Sequence, residues 1–243
     1  MSHEPAPAVA RGNSVQRQLR LFASLALRPR EGARAVLAQG TLLVAFVAMF
    51  AACAIAAMNA SRFAASTAVS DLVYGSQRSP LVNLLLDAIG TARTAVVVYL
   101  AEQAWTAVIV LTAATPLLVW LLGATAVHAA ARLAEAGRAF SRFFVFAGYA
   151  TALALVPSGL VSLALEGSAG SLGAAVARAA GLLFFVWLGL LLYRGIEAYY
   201  QVAPTRALTI LVVAVTVFYL VPLLLIAVTI VAIVVAAVVL ELA

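Results

Sequence analysis

Long apolar runs alternate with short polar stretches along the chain, and nearly all the charges collect in those stretches. A hydrocarbon core of about 30 Å takes roughly 20 helical residues. The pattern predicts an all-α, polytopic transmembrane helix bundle with five spans, at about 41–57, 103–127, 143–165, 179–199 and 208–240. The last run, Leu208–Leu240, has 33 residues and no charge. At 1.5 Å per residue it measures about 50 Å, too long for one straight crossing. A kink at Pro222 is expected, because the ring removes a backbone hydrogen bond and crowds the preceding turn. A hairpin at Pro222 is the alternative, but it would leave halves of about 14 and 18 residues with no turn residue beside the proline.

Before the first span the pattern changes. Residues 1–13, with Pro5, Pro7 and Gly12, read as a disordered tail. From Ser14, the residues Val15, Leu19, Phe22 and Ala26 recur at three-to-four spacing, with Arg17, Arg20 and Arg28 off that face. Segment 14–40 therefore reads as a basic amphipathic region at the membrane interface. Pro29 suits the first turn of a new helix, and that helix is expected to run on into span one. Residues 41–243 form a single transmembrane domain. Ser79-Pro80 signals the start of a short surface helix ended by Gly90, and Gly167–Gly173 reads as a turn.

Composition strengthens the membrane reading. The 243 residues are 65% hydrophobic and 10% charged, where a soluble domain carries about 25% charged residues. Too few charges exist to cover a water-facing surface, so lipid must be the solvent for most of it. The first apolar run begins too late for a cleaved secretory signal and reads as a retained helix. The net charge is +6, and all fifteen basic residues are arginines. Because they flank apolar runs, headgroup phosphates are the expected anions and nucleic acid is not. The lysine-free, alanine-rich composition points to a bacterial, GC-rich source. Cys53 stands alone, which excludes an internal disulfide. Eleven arginines fall on the N-terminal side of the alternating loops against four on the other. Arginine is retained in the cytoplasm, so the expectation is an inner-membrane protein with its N-terminus inside and its C-terminus outside.

The polar stretch His128–Arg142 is then a turn between spans two and three. Its Arg132, Arg138 and Arg142, with Arg28 and Arg30, are the candidate headgroup-binding residues, each worth about 1 kcal/mol near an anionic surface. Glu102 and Gln103 are the candidate intramembrane polar pair; a start of span two at Gln103 would place them at the outer interface. Glu197, three residues after Arg194, reads as its partner at a helix end. Ala48, Ala52 and Ala56 offer a small-residue face for helix packing. Trp105, Trp120, Trp187, Tyr193, Tyr199 and Tyr200 read as interfacial belts.

No catalytic, cofactor or metal site is predicted. His3, His128 and Cys53 cannot assemble a zinc site, and no HExxH or CxxC is present. Ser158 and His128 are the one pair to weigh as a serine nucleophile and base, but they belong to different depths and lack the G-x-S-x-G turn. The Gly167, Gly170 and Gly173 spacing has no following lysine to complete a phosphate loop.

Several features together resemble the Yip-domain family of five-helix membrane proteins. Arg28-Pro29-Arg30 precedes the first span. A span ends His128-x-x-x-Arg132-Leu133, followed by Gly137-x-x-Phe140 and Ala147-Gly148-Tyr149-Ala150. The fourth span carries Trp187 and ends near Gly195, and Pro204-Thr205-Arg206-Ala207-Leu208 leads into the last helix. The resemblance runs from about Leu25 to Leu240. It implies a multi-pass bundle without catalytic residues. Eukaryotic members associate with Ypt/Rab GTPases through a hydrophilic N-terminal domain. This chain has only about 40 residues before its first span, so a Rab-type GTPase partner is not expected.

Two functions follow as expectations. The first is a non-enzymatic membrane protein that acts through helix contacts and headgroup binding, in membrane organisation or protein assembly. Its partners would be the lipid bilayer and other membrane proteins or itself. The alternative is a small transporter, channel or lipid-moving protein, motivated by Glu102, Gln103 and the prolines Pro116, Pro157 and Pro222. No inverted repeat supports it.

Overall fold

The computed structural model describes residues 14–66, 80–165 and 170–220, with isolated positions beyond and only some side chains between 80 and 108. The tail 1–13, residues 167–169 of the expected Gly167–Gly173 turn, the Pro222 kink, most of the run after it and the Gln103 side chain lie outside the described residues. Seven helices and no strand are found among the described residues. They are α1 (Ser14–Leu27), α2 (Pro29–Gln39), α3 (Leu42–Ser66), α4 (Pro80–Leu133), α5 (Phe140–Leu165), α6 (Gly170–Tyr200) and α7 (Pro204–Leu220). Among the described residues, four stretches are long and apolar enough to cross a bilayer: Leu42–Ala65, Ile109–Leu133, Phe140–Leu165 and Leu172–Tyr200. With α7 as the apolar start of a fifth, the five-span bundle stands.

Helix α5 is the axis of the bundle. It packs against α3, α4 and α6, and α1 and α2 also touch it. Its Phe143 and the run Val145–Ala152 are buried. Such close packing needs small residues at the crossings. A Cβ on Gly148 would lie 2.8 Å from Ala45 Cβ, and one on Gly195 of α6 would lie 2.0 Å from the Phe146 ring. Hydrogen bonds between side chain and backbone tie the same crossings: Trp120 Nε1 donates to the Phe144 carbonyl at 2.8 Å. Trp120 is fully buried and stacked on Phe144, and Tyr149 and Tyr200 are buried too. These rings are core residues, contrary to the interfacial role expected of Trp120 and Tyr200. On α7, Ala207, Ile210 and Ala214 are buried and form one face.

The N-terminal segment departs most from expectation. Pro29 disfavours a helical backbone at the residue before it, and Arg28 accordingly breaks the chain at φ −135°, ψ 73°. The second helix does not continue into span one. It stops at Gln39, and Gly40 is extended at φ −61°, ψ 144°. A Cβ on Gly40 would sit 2.6 Å from the Val36 carbonyl oxygen. Helices α1 and α2 form a hairpin docked on the bundle. Its buried face is Gln18, Leu21 and Leu25, whereas Val15 and Leu19 of the expected face are each 63% exposed. The Tyr149 hydroxyl explains why a glutamine is buried: it donates to Gln18 Oε1 at 2.6 Å and accepts from the Thr41 N–H at 3.3 Å.

The other boundaries shift outward. Span one continues past 57 to Ser66 because its polar residues find carbonyl acceptors on α5. Asn59 Nδ2 donates to Gly159 at 3.0 Å and Arg62 to Leu163 at 2.6 Å. The predicted break at Gly90 is present, at φ 75°, ψ 161°, a conformation open mainly to glycine. Beyond it the helix is continuous from residue 91 to Leu133. The helix of the fourth span begins at Gly170 rather than 179, so Gly170–Gly173 is helix rather than turn. Pro116 and Pro157 are absorbed inside helices and break neither.

Candidate functional site

Three junctions meet at one end of the bundle, which is called the basic end below: α1–α2, α4–α5 and α6–α7. Helix α4 ends in a Schellman-type turn. Glu135 takes φ 53°, Glu135 N–H donates to the Arg132 carbonyl, and Ala136 N–H donates to the Ala131 carbonyl, both at 2.9 Å. Helix α6 ends with Gln201 at φ 54° and its N–H bonded to the Glu197 carbonyl at 3.1 Å. A non-glycine residue in this region costs about 1–2 kcal/mol. At Gln201 a side-chain bond offsets part of that cost, because Arg138 donates to its Oε1 at 2.6 Å. The Arg138 guanidinium also lies 5.9 Å from the centre of the Tyr199 ring. Tyr199 donates to the Ala139 carbonyl and Arg206 to the Ala134 carbonyl. The two loops are thereby clamped together. His128, one turn inside, pairs through Nδ1 with the Tyr200 hydroxyl at 3.0 Å and packs against Phe140.

Beside this clamp, α2, α6 and the start of α7 enclose a cavity of about 170 Å³. Arg30, Arg34, Arg194 and Glu197 line it, with Ala198 and Val202. Arg30 and Arg34 are one helical turn apart on α2, hence on one face. Glu197 accepts from Arg194 at 2.7 Å and from the Tyr193 hydroxyl at 3.1 Å, so its charge is taken up by its own helix. No acceptor from the protein engages Arg30 or Arg34 among the described residues, and both are exposed. Three guanidinium groups facing one carboxylate leave a net positive recess with free planar donors. Such donors fit the oxygens of a phosphate in pairs.

The predicted residues are dispersed. Arg30 lies in the recess. Arg28 pairs with Glu31 at 3.4 Å on the open surface, where both are more than two-thirds exposed; such a pair contributes little. Arg138 is held in the loop clamp, and Arg132 and Arg142 are exposed near the α4–α5 turn. Glu102 is exposed on the part of α4 that precedes the apolar stretch beginning at Ile109. Arg34 and Arg194 were not among the predicted headgroup residues. The four-residue spacing of Arg30 and Arg34 was a legible signal, but the approach of Arg194 across α6 was not. Ser158 and His128 lie toward opposite ends of the bundle, and His128 is engaged with Tyr200.

Fold and surface together define a multi-pass α-helical membrane protein with a docked basic N-terminal hairpin. Its family follows from the chain itself: the Yip1 domain matches residues 22–226, so the protein belongs to the Yip1-domain family. Neither curated proteins nor solved structures offer a match to the chain.

Proposed function

We propose that this protein is a non-enzymatic organiser of the membrane it spans, with its basic end held to anionic headgroups through Arg30, Arg34 and Arg194. The observation that carries this reading is the recess itself. Two unpaired guanidinium groups on α2 face a third on α6, beside an apolar bundle with broad exposed faces such as Leu182, Leu183 and Val186. Those faces suit lipid tails and contacts with other membrane helices, including a second copy of the chain. The excess of arginine at this end supports an orientation with the N-terminus in the cytoplasm, in an inner membrane. In this reading the protein carries out no catalysis, and a Rab-type GTPase is not a partner.

Native mass spectrometry in mild detergent tests it, with phosphatidylglycerol and phosphatidylcholine titrated in parallel. Phosphatidylglycerol should bind more tightly. Removing two charges worth about 1 kcal/mol each in Arg30→Ala/Arg34→Ala should weaken that preference roughly thirtyfold. Equal binding of the two lipids, or an unchanged preference in the double variant, would refute the proposal.

A further inference from the structure

A second cavity lies at the opposite end of the bundle, between α3, α4 and α5, and encloses about 420 Å³. Along α3 it extends from Ala52 to Phe63, about 16 Å of helix. That range falls inside the membrane-crossing stretch Leu42–Ala65 and reaches its far edge. Chemistry changes along the cleft. Ala52, Ile55 and Leu155 form the deeper, apolar part, and Asn59, Ser158 and Trp105 bring polar atoms toward the edge. The Trp105 Nε1 is the one buried side-chain nitrogen or oxygen without a hydrogen-bond partner among the described residues. Phe63 holds the indole in place, with ring centres 5.8 Å apart.

An orphaned donor in low dielectric is unfavourable, so an occupant with an acceptor at that height is expected. Water alone would satisfy the indole, but in the depth, lined by Ala52, Ile55 and Leu155, it would meet only Thr112 and Thr115, and the Thr115 hydroxyl already donates to the Leu111 carbonyl at 3.0 Å. Arg62, next to Phe63, bonds the Leu163 carbonyl through one nitrogen and leaves its other donors at the edge of the span. The outer end of the cleft thus brings together a cation and a neutral N–H donor, and its inner part is largely apolar. We propose that this cleft is a binding site for one membrane phospholipid: its phosphate meets Arg62, an ester carbonyl accepts from Trp105 Nε1–H, and an acyl chain lies along Ala52, Ile55 and Ala56. The site is separate from the basic recess and does not depend on it.

The test is lipid retention by the full-length protein in detergent, measured by native mass spectrometry with phosphatidylglycerol as probe. The Arg30→Ala/Arg34→Ala background weakens binding at the basic end. One phospholipid should remain bound in that background. Trp105→Phe keeps the ring, removes only the N–H, and should weaken binding about fivefold, the effect of one hydrogen bond. Ala56→Leu fills the cleft and should abolish the retained lipid, while Ala107→Leu on an exposed surface should not. Diacylglycerol, which lacks the phosphate, should bind more weakly than phosphatidylglycerol, and Arg62→Gln should erase that difference. Glycerol phosphate, which lacks the chains, should not compete. Equal retention by Trp105→Phe and Ala56→Leu, each with an unchanged elution profile, would overturn the proposal, as would an empty or water-filled cleft. Loss of anionic preference at the basic end alone would leave it standing.

Discussion

The docking of the N-terminal hairpin can be tested at one carbon atom. At Gly32 of α2, a Cβ would lie 2.4 Å from Leu25 Cα, 2.5 Å from Leu25 N and 2.6 Å from Ser24 C. All three are backbone atoms of α1, so no rotamer change can make room. Carbon atoms in contact prefer about 3.5–4.0 Å, so α1 must withdraw by about 1 Å. Overpacking of this kind costs about 1–3 kcal/mol. Alanine's better helix propensity offsets at most about 1 kcal/mol of that, so Gly32→Ala should loosen the hairpin by about 1–2 kcal/mol. Leu21, Leu25 and Gln18 would then leave their buried positions more often. Arg17 and Arg20 on α1 are exposed, and trypsin there reports the undocked population when opening is fast relative to cleavage. Cleavage in mild detergent should accelerate about 5- to 30-fold. Gly123→Ala, where a Cβ meets nothing within 4 Å, serves as control. Cleavage of Gly32→Ala at the parental rate would show that α1 is not held where the geometry puts it.

Two further outcomes follow from the core. Tyr149→Phe removes the hydroxyl shared by Gln18 and Thr41 and should destabilise the protein by about 1–3 kcal/mol, read as a lower thermal midpoint in detergent. Adding Gln18→Leu should recover much of the loss, because an apolar pair leaves fewer orphaned groups. Gly195→Ala drives a methyl into the Phe146 ring, whose nearest atom would be 2.0 Å away. Its thermal midpoint should fall as well, and Phe146→Leu should restore it in part.

Sequence reading succeeded where a residue's effect is local. Pro29 dictates a helix start whatever surrounds it, and Gly90 permits a backbone angle that other residues resist. It erred where a partner decided the outcome. Trp120 reads as interfacial by type, yet the Phe144 carbonyl and ring give it a buried place. Span one reads as ending at 57, with Asn59 and Arg62 in the polar connection beyond it, yet carbonyls on α5 let the helix continue through both. In the candidate site, Arg30 was legible as a basic residue beside a span. The spacing of Arg34 from it was legible too, but the approach of Arg194 was not, because the recess forms only when α2 crosses α6.

By itself the sequence determined the solvent, the helical class and the approximate number of crossings. These depend on summed hydropathy, and each residue contributes to that sum without regard to its neighbours in space. Tertiary structure alone decided which face of α1 is buried, which aromatics become core, and which arginines are left unpaired. Those outcomes turn on contacts between residues as far apart as Gln18 and Tyr149. A contact at that separation depends on how the helices pack, which hydropathy along the chain does not encode.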